Sequence, residues 1–238
     1  MTRKPALRRL YRTLLLISVL PLAPGLAHAG VLRQDLRGLL TCRNLGLAAL
    51  GFGAAGVAHR WDDDLKGRLK GVGLFEATST VTDGVGSGMV VLPGSLGLWV
   101  LGKAARRPEL EAVSFDLLRA LVITQAAVSP IKYGVRRARP DHSNRLSFPS
   151  GHAANVFAVA GVLNRRYGPR AGVPLMLLGA LVGAGRMKGD RHFLSDVVAG
   201  ATVGAIVGHA ITRTGSKRVS LLPVPGRKGW MLAVLVRD

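Results

Sequence analysis

Six weakly apolar segments, roughly 44–58, 84–102, 115–131, 152–163, 171–185 and 193–212, alternate with short connections that carry charge, Gly or Pro. That rhythm predicts a mainly helical chain, and 238 residues suffice for one well-buried core without demanding a second domain. On a helical wheel, 115–131 sets Leu117, Leu118, Leu121, Val122 and Gln125 on one side and Asp116 and Arg119 opposite, as a helix with a single buried face would. Farther on, Val197, Ala201, Val203 and Ala205 are interspersed with Gly200, Gly204 and Gly208, small residues that let helices approach closely. After Arg218 the character changes: Val219 to Leu222 and Trp230 to Val236, with Pro223, Pro225, Gly226 and Gly229 between them, predict a β-hairpin that leans on the helical body. The expected fold is all-α, a bundle of about six helices over 30–217 with a short C-terminal β-hairpin over 218–238.

The first 29 residues read as an export signal peptide. Arg8, Arg9 and Arg12 precede an apolar stretch from Thr13 to Leu26, and Ala27-His28-Ala29 supplies small residues for cleavage. The alternative is an uncleaved anchor, since Thr13 to Leu32 lacks Lys, Arg, Asp and Glu. Either way the chain is expected to be exported, to the periplasm or to the cytoplasmic membrane with its active site facing the periplasm. Cys42 is the sole cysteine, which leaves no partner for an intramolecular disulfide and suggests a buried thiol.

With 33 Lys plus Arg against 13 Asp plus Glu, the formal charge is +20, which points to a polyanionic partner. Nucleic acid is disfavoured, because the cations are spread between apolar segments and only 5% of residues are aromatic. Whether the helices cross a bilayer is balanced. The uncharged runs are short and rich in Gly and Ala, and the mean hydropathy is +0.29. Against that, Arg106, Arg107, Arg165, Arg166, Arg170, Arg213, Lys217 and Arg218 gather in connections of the kind found on a cytoplasmic face. Oligomeric state is not legible.

Three stretches carry chemistry. Lys132, Arg139 and Pro140 lie at the end of the third segment and in the loop after it, and two fixed cations there suit a phosphoryl dianion. Pro149-Ser150-Gly151-His152 directly precedes an apolar run. Ser150 is placed as a helix N-cap, the first-turn amides form an anion site, Gly151 admits a phosphate close to the backbone, and His152 is positioned to protonate a leaving oxygen. Arg186, His192 and Asp196 form the third stretch. The last two are four apart, so on one helix face the carboxylate would orient the imidazole of a nucleophile. If segments three to six run up, down, up and down, all three stretches meet at one end of the bundle.

Together they resemble the signature of the type 2 phosphatidic acid phosphatase superfamily, which includes bacterial acid phosphatases and vanadium haloperoxidases. The resemblance spans roughly 114–212 and departs at Gly185, where serine is usual. It implies a helical phosphatase that forms a phosphohistidine on His192. Asp196 orients that residue, His152 acts as general acid and then base, and Lys132, Arg139, Ser150, Gly151 and Arg186 hold the phosphoryl oxygens. No metal is implied, although vanadate could occupy the same cage. A lipid phosphomonoester or diphosphate is the expected substrate, such as phosphatidate, phosphatidylglycerophosphate or an isoprenoid diphosphate. A soluble periplasmic acid phosphatase and a vanadium-dependent haloperoxidase are the alternatives. Arg136, Arg137, Lys188 and Arg191 read as solvated charge, Asp141, His142 and Asp190 as loop-shaping residues, and His59 and His209 as remote from the site.

Overall fold

Helix boundaries in the computed structural model follow the sequence's capping chemistry; residues 27–69, 84–211, 218–226 and 229–237 are described. The backbone divides into two units, Met1–Leu40 and Thr41–Asp238. The first contains helix α1 (Ala27–Leu39); of the expected signal peptide over 1–29, residues 1–26 lie outside the described residues.

In the second unit, Thr41 opens α2 (Cys42–Ala58) by accepting a hydrogen bond from Asn44 N at 3.3 Å. A 3₁₀ turn, His59–Trp61, leads into α3 (Asp62–Leu69), whose first turn holds Asp62, Asp63 and Asp64. Ser87 caps α4 (Gly88–Ala104). α5 (Pro108–Val135) starts with Pro at its first position and Glu109 and Glu111 in its first turn, and ends on Arg136 in the left-handed conformation. Ser150 caps α6 (Gly151–Tyr167), and Gly168, at φ 82°, turns the chain into α7 (Pro169–Lys188). Last comes α8 (Leu194–Ile211).

The glycines set how closely these helices pack. On α8, a Cβ at Gly200, Gly204 or Gly208 would run into the carbonyl oxygens of Ser150, Ala154 and Ala158, so one glycine stripe brings α8 against the backbone of α6. Gly179 of α7 receives the Phe157 ring of α6 in the same way. α2 packs on α8, and α4 on α5. At the C-terminal end, β1 (Arg218–Gly226) and β2 (Gly229–Arg237) pair antiparallel, with Leu222 opposite Ala233.

The structure corrects three expectations. The described residues hold two helices beyond the six segments, α1 and α3; both are polar enough to escape an apolar-run reading. Asp116 does not face away from the core. It is buried with Val113, Ala120, Leu121, Thr124 and Val128, and it is neutralised by Arg166 at 3.0 Å and Arg119 at 3.4 Å. Cys42 is exposed, because it begins α2 on the outer side.

Candidate active site

The C-terminal ends of α5 and α7 and the N-terminal ends of α6 and α8 come together, as the up-and-down series requires. Lys132, in the last turn of α5, donates to Leu146 O at 2.9 Å and to Pro149 O, which fastens the loop between α5 and α6 onto the α5 terminus. That loop carries Arg139 and contains a cis Phe148–Pro149 bond. Arg139 N donates to Asn144 O, Asp141 accepts from Ser143 N, and Asp141 N donates to Asp190 O. Asp141, His142 and Asp190 thus lie in the loop turns, the last two at positive φ.

Arg186 is buried in the last turn of α7, and its carbonyl accepts from Arg191 N and His192 N. That pair of bonds turns the chain so that His192 points inward at 3% exposure. The structure alters the expected geometry here. His192 is not on α8, which begins at Leu194, and so does not share a helix face with Asp196. Asp196 instead sits at the third position of the helix and accepts from Phe193 N at 2.8 Å, closing the α8 terminus as the acidic half of a capping box. The side chains still meet: His192 Nδ1 lies 3.7 Å from Asp196 Oδ2, longer than a hydrogen bond.

Asp196 is wholly buried and satisfied from several sides. Oδ2 also accepts from Ser147 Oγ, Oδ1 accepts from Arg137 Nη1 at 2.8 Å, and its carbonyl accepts from Ser150 N at 2.8 Å. The last bond narrows the expected anion site, because the Ser150 amide is committed to α8. The Ser150 hydroxyl accepts from Ala153 N and retains its own proton to donate. A Cβ on Gly151 would stand in ordinary van der Waals contact, 3.8 Å from Lys132 Cε and 3.9 Å from Gln125 Nε2. His152 lies half-buried in the first turn of α6, and Gly86 abuts it so closely that a Cβ there would stand 2.9 Å from the His152 Cβ.

Three cations act on this space and on one another: Lys132, Arg139 and Arg186. Burial, with Arg186 and Arg191 close by, lowers the Arg139 guanidinium from its ordinary value, and its Nε is buried without a hydrogen-bond partner. A buried donor on one of several mutually crowded cations favours an anionic partner. Burial is also the main reason that His192 is lowered to about 4; Lys132 and Arg139 add to the effect and Asp196 opposes it. The imidazole is therefore neutral near pH 7, the state a nucleophile needs. No cluster of three or more His, Cys, Asp or Glu suited to a metal occurs among the described residues.

Two residues that sequence reading set aside belong here. Arg137 is not solvated charge: it bridges Asp196 to Asp62 of α3, with Nη2 donating to Asp62 Oδ2 at 2.8 Å, and stacks 4.1 Å over the Phe193 ring. His59 is not remote, because its Nδ1 stands 2.7 Å from Asp62 Oδ2 and 3.2 Å from Arg137 Nη2. Neither carries a local signal; only tertiary contact reveals them. Arg136 and Arg191 are exposed, the latter paired with Asp141 at 2.9 Å. An open groove of about 310 Å³ lined by Phe52, Ala55, Phe148 and Val135 borders Arg137 and Ser195 rather than His192, so it is distinct from the anion site.

The profile of the PAP2 superfamily matches residues 114–220, the segment that supplies every one of the three chemical stretches. That segment is similar to the PAP2 superfamily. Lipid A 1-phosphatase of Porphyromonas gingivalis is 30% identical over 192 residues, which cover 79% of this chain and 40% of that protein. Decaprenylphosphoryl-5-phosphoribose phosphatase of Mycobacterium tuberculosis is 36% identical over 108 residues, 40% of this chain and 58% of that one. The chain thus spans only about half the length of these PAP2 relatives. Among solved structures, LpxE of Aquifex aeolicus superposes with a TM-score of 0.52 at 25% identity, covering 63% of this chain and 93% of that one. A transmembrane PAP2 type phosphatidylglycerolphosphate phosphatase from Bacillus subtilis shares the fold, with a TM-score of 0.58 at 18% identity over 75% of this chain and 94% of that one.

Proposed function

We propose that this protein is a metal-independent phosphatase that removes phosphate from a lipid phosphomonoester or diphosphate through a phosphohistidine at His192. The observation that carries the reading is a buried imidazole in the field of Lys132 and Arg139, with Arg186 crowding Arg139 and the Arg139 Nε buried without a hydrogen-bond partner. The names of the relatives, acting on lipid A and on a decaprenyl phosphosugar, favour a lipid among phosphoesters.

In this mechanism the lone pair on His192 Nε2 forms the N–P bond as the ester P–O bond breaks. Charge on the equatorial oxygens falls on Lys132, Arg139, Arg186, the Ser150 hydroxyl and the Gly151 amide. His152 passes its proton to the departing oxygen. It then takes a proton from the water that attacks phosphorus, the P–N bond breaks, and His192 is restored. Asp196 holds Nδ1 so that Nε2 stays unprotonated and supports the cation that forms.

Two described helices, α5 and α8, are long and apolar enough to cross a membrane. Together with the basic surface they favour an integral protein that meets its headgroup at the periplasmic face, delivered there by the signal sequence. The test is turnover by purified protein of phosphatidate, phosphatidylglycerophosphate, an isoprenoid diphosphate and p-nitrophenyl phosphate, with chelator present. We expect lipid hydrolysis unchanged by EDTA, no phosphoenzyme in His192→Ala, and a His152→Ala variant that slows poor leaving groups more than good ones. Wild-type turnover by His192→Ala would end this reading, and turnover confined to soluble esters would favour the acid-phosphatase alternative.

A further inference from the structure

Asp62 lies upstream of the segment matched by the PAP2 profile, on a short helix that no apolar run announces, yet it reaches Ser195 at the start of α8 and Arg137, which holds Asp196. Its side chain is 2% exposed and makes four polar contacts. Oδ1 accepts from Ser195 N at 2.9 Å, and Oδ2 accepts from Ser195 Oγ at 2.7 Å and Arg137 Nη2 at 2.8 Å, with His59 Nδ1 at 2.7 Å. Arg137 then spends its other terminal nitrogen on Ser195 Oγ at 2.6 Å and Asp196 Oδ1 at 2.8 Å. One guanidinium is shared between two buried carboxylates, and its plane is held against Phe193.

From this network we infer that Arg137 and Asp62 are positioning residues that set the Asp196 carboxylate, and through it the tautomer of His192. The reasoning is geometric. Asp196 Oδ2, the oxygen nearest His192, is anchored by Ser147 and Phe193, and the plane of the carboxylate is then completed through Oδ1. Arg137 is the side chain that holds Oδ1. Asp62 ties the far nitrogen of that guanidinium, while the Phe193 ring holds its plane. Asp62 also grips Ser195, the residue before Asp196, so both the side chain and the backbone of the α8 start refer to the same carboxylate. Lysine could satisfy one carboxylate but not both, because it lacks the planar fork.

This inference rests on the phosphohistidine reading for its consequence, but it has a readout of its own. The experiment uses the full chain in detergent micelles, with Asp62→Asn and Arg137→Lys as near-isosteric variants. We expect kcat on phosphatidate and p-nitrophenyl phosphate to fall between about 10- and 100-fold with KM little changed, because a misaligned nucleophile loses rate rather than binding. In parallel, ¹⁵N spectra of the His192 imidazole, assigned by difference against His192→Gln, should show Nδ1–H dominant in wild type and mixed tautomers in both variants. Wild-type kcat with an unaltered tautomer in either folded variant overturns the inference, as does a rise in KM at constant kcat. Should Arg137→Lys fail to fold, Asp62→Asn alone decides, since it keeps the shape and loses the charge. A wild-type protein inactive on all four phosphoesters named above would sink the phosphatase reading instead, and the imidazole spectra would still judge the positioning role.

Discussion

His192 shows how far burial shapes a single residue. Its pKa is depressed to about 4, so the folded protein resists protonating it while the unfolded chain protonates it near 6.5. Between those values the unfolded state binds more protons. The contribution of His192 is therefore full above about pH 6.5 and declines as pH falls towards 4, by at most about 1.4 kcal/mol per pH unit. Thermal melts of wild type against His192→Ala from pH 7 to 4 should show the wild type losing more stability across that window. Parallel slopes would refute the depressed value. The same depression predicts that kcat/KM for the phosphoryl-transfer half-reaction stays flat down to about pH 5 where an ordinary histidine would already be failing. The residue types in the site were legible because Ser-Gly-His before an apolar run and His-x3-Asp after a basic residue each have a chemical meaning. Arg137 was not. Its role depends on Asp62, Ser195 and Asp196 converging from two helices, which no local spacing encodes.

At the scale of elements, α8 is held by its glycines. Gly204 touches the carbonyl of Ala154, and a methyl there has no flexible side chain to displace, only the backbone of α6. Gly204→Ala should cost about 1–3 kcal/mol and, by tilting α8 away from Ser150, reduce turnover as well. Gly46 on α2 has nothing within 4 Å of its virtual Cβ, so Gly46→Ala should be neutral or stabilise by up to about 1 kcal/mol through helix propensity. Melting temperatures of the pair separate close approach from propensity, because a pure propensity effect would move both the same way. The helix wheel misjudged α5 for a related reason. It sorted Asp116 by polarity, whereas Arg166 and Arg119 make that carboxylate a core residue. An ion pair formed between elements cannot be seen from one of them.

The whole molecule combines a basic exterior with helices of ambiguous length. α5 has 28 residues, well beyond the apolar segment visible in the sequence, since Pro108 with its two glutamates opens it early and Arg136 closes it late. That extension makes it long enough to span a bilayer. Membranes from expressing cells, washed with high salt and alkaline carbonate, should retain the protein and release it only with detergent. Release by osmotic shock would show instead that these helices pack in water.

The sequence by itself determined the helical class, the three chemical stretches and the end of the bundle on which they meet, because capping, apolar period and alternating direction are properties of consecutive residues. Only the tertiary structure decided that His192 stands ahead of its helix rather than on it, that Asp196 closes that helix while facing the imidazole, and that Asp62 and Arg137 hold the carboxylate in place. Those outcomes follow from contacts between distant segments, where burial removes water as a competing partner and leaves each charged group to the side chains that the fold brings to it.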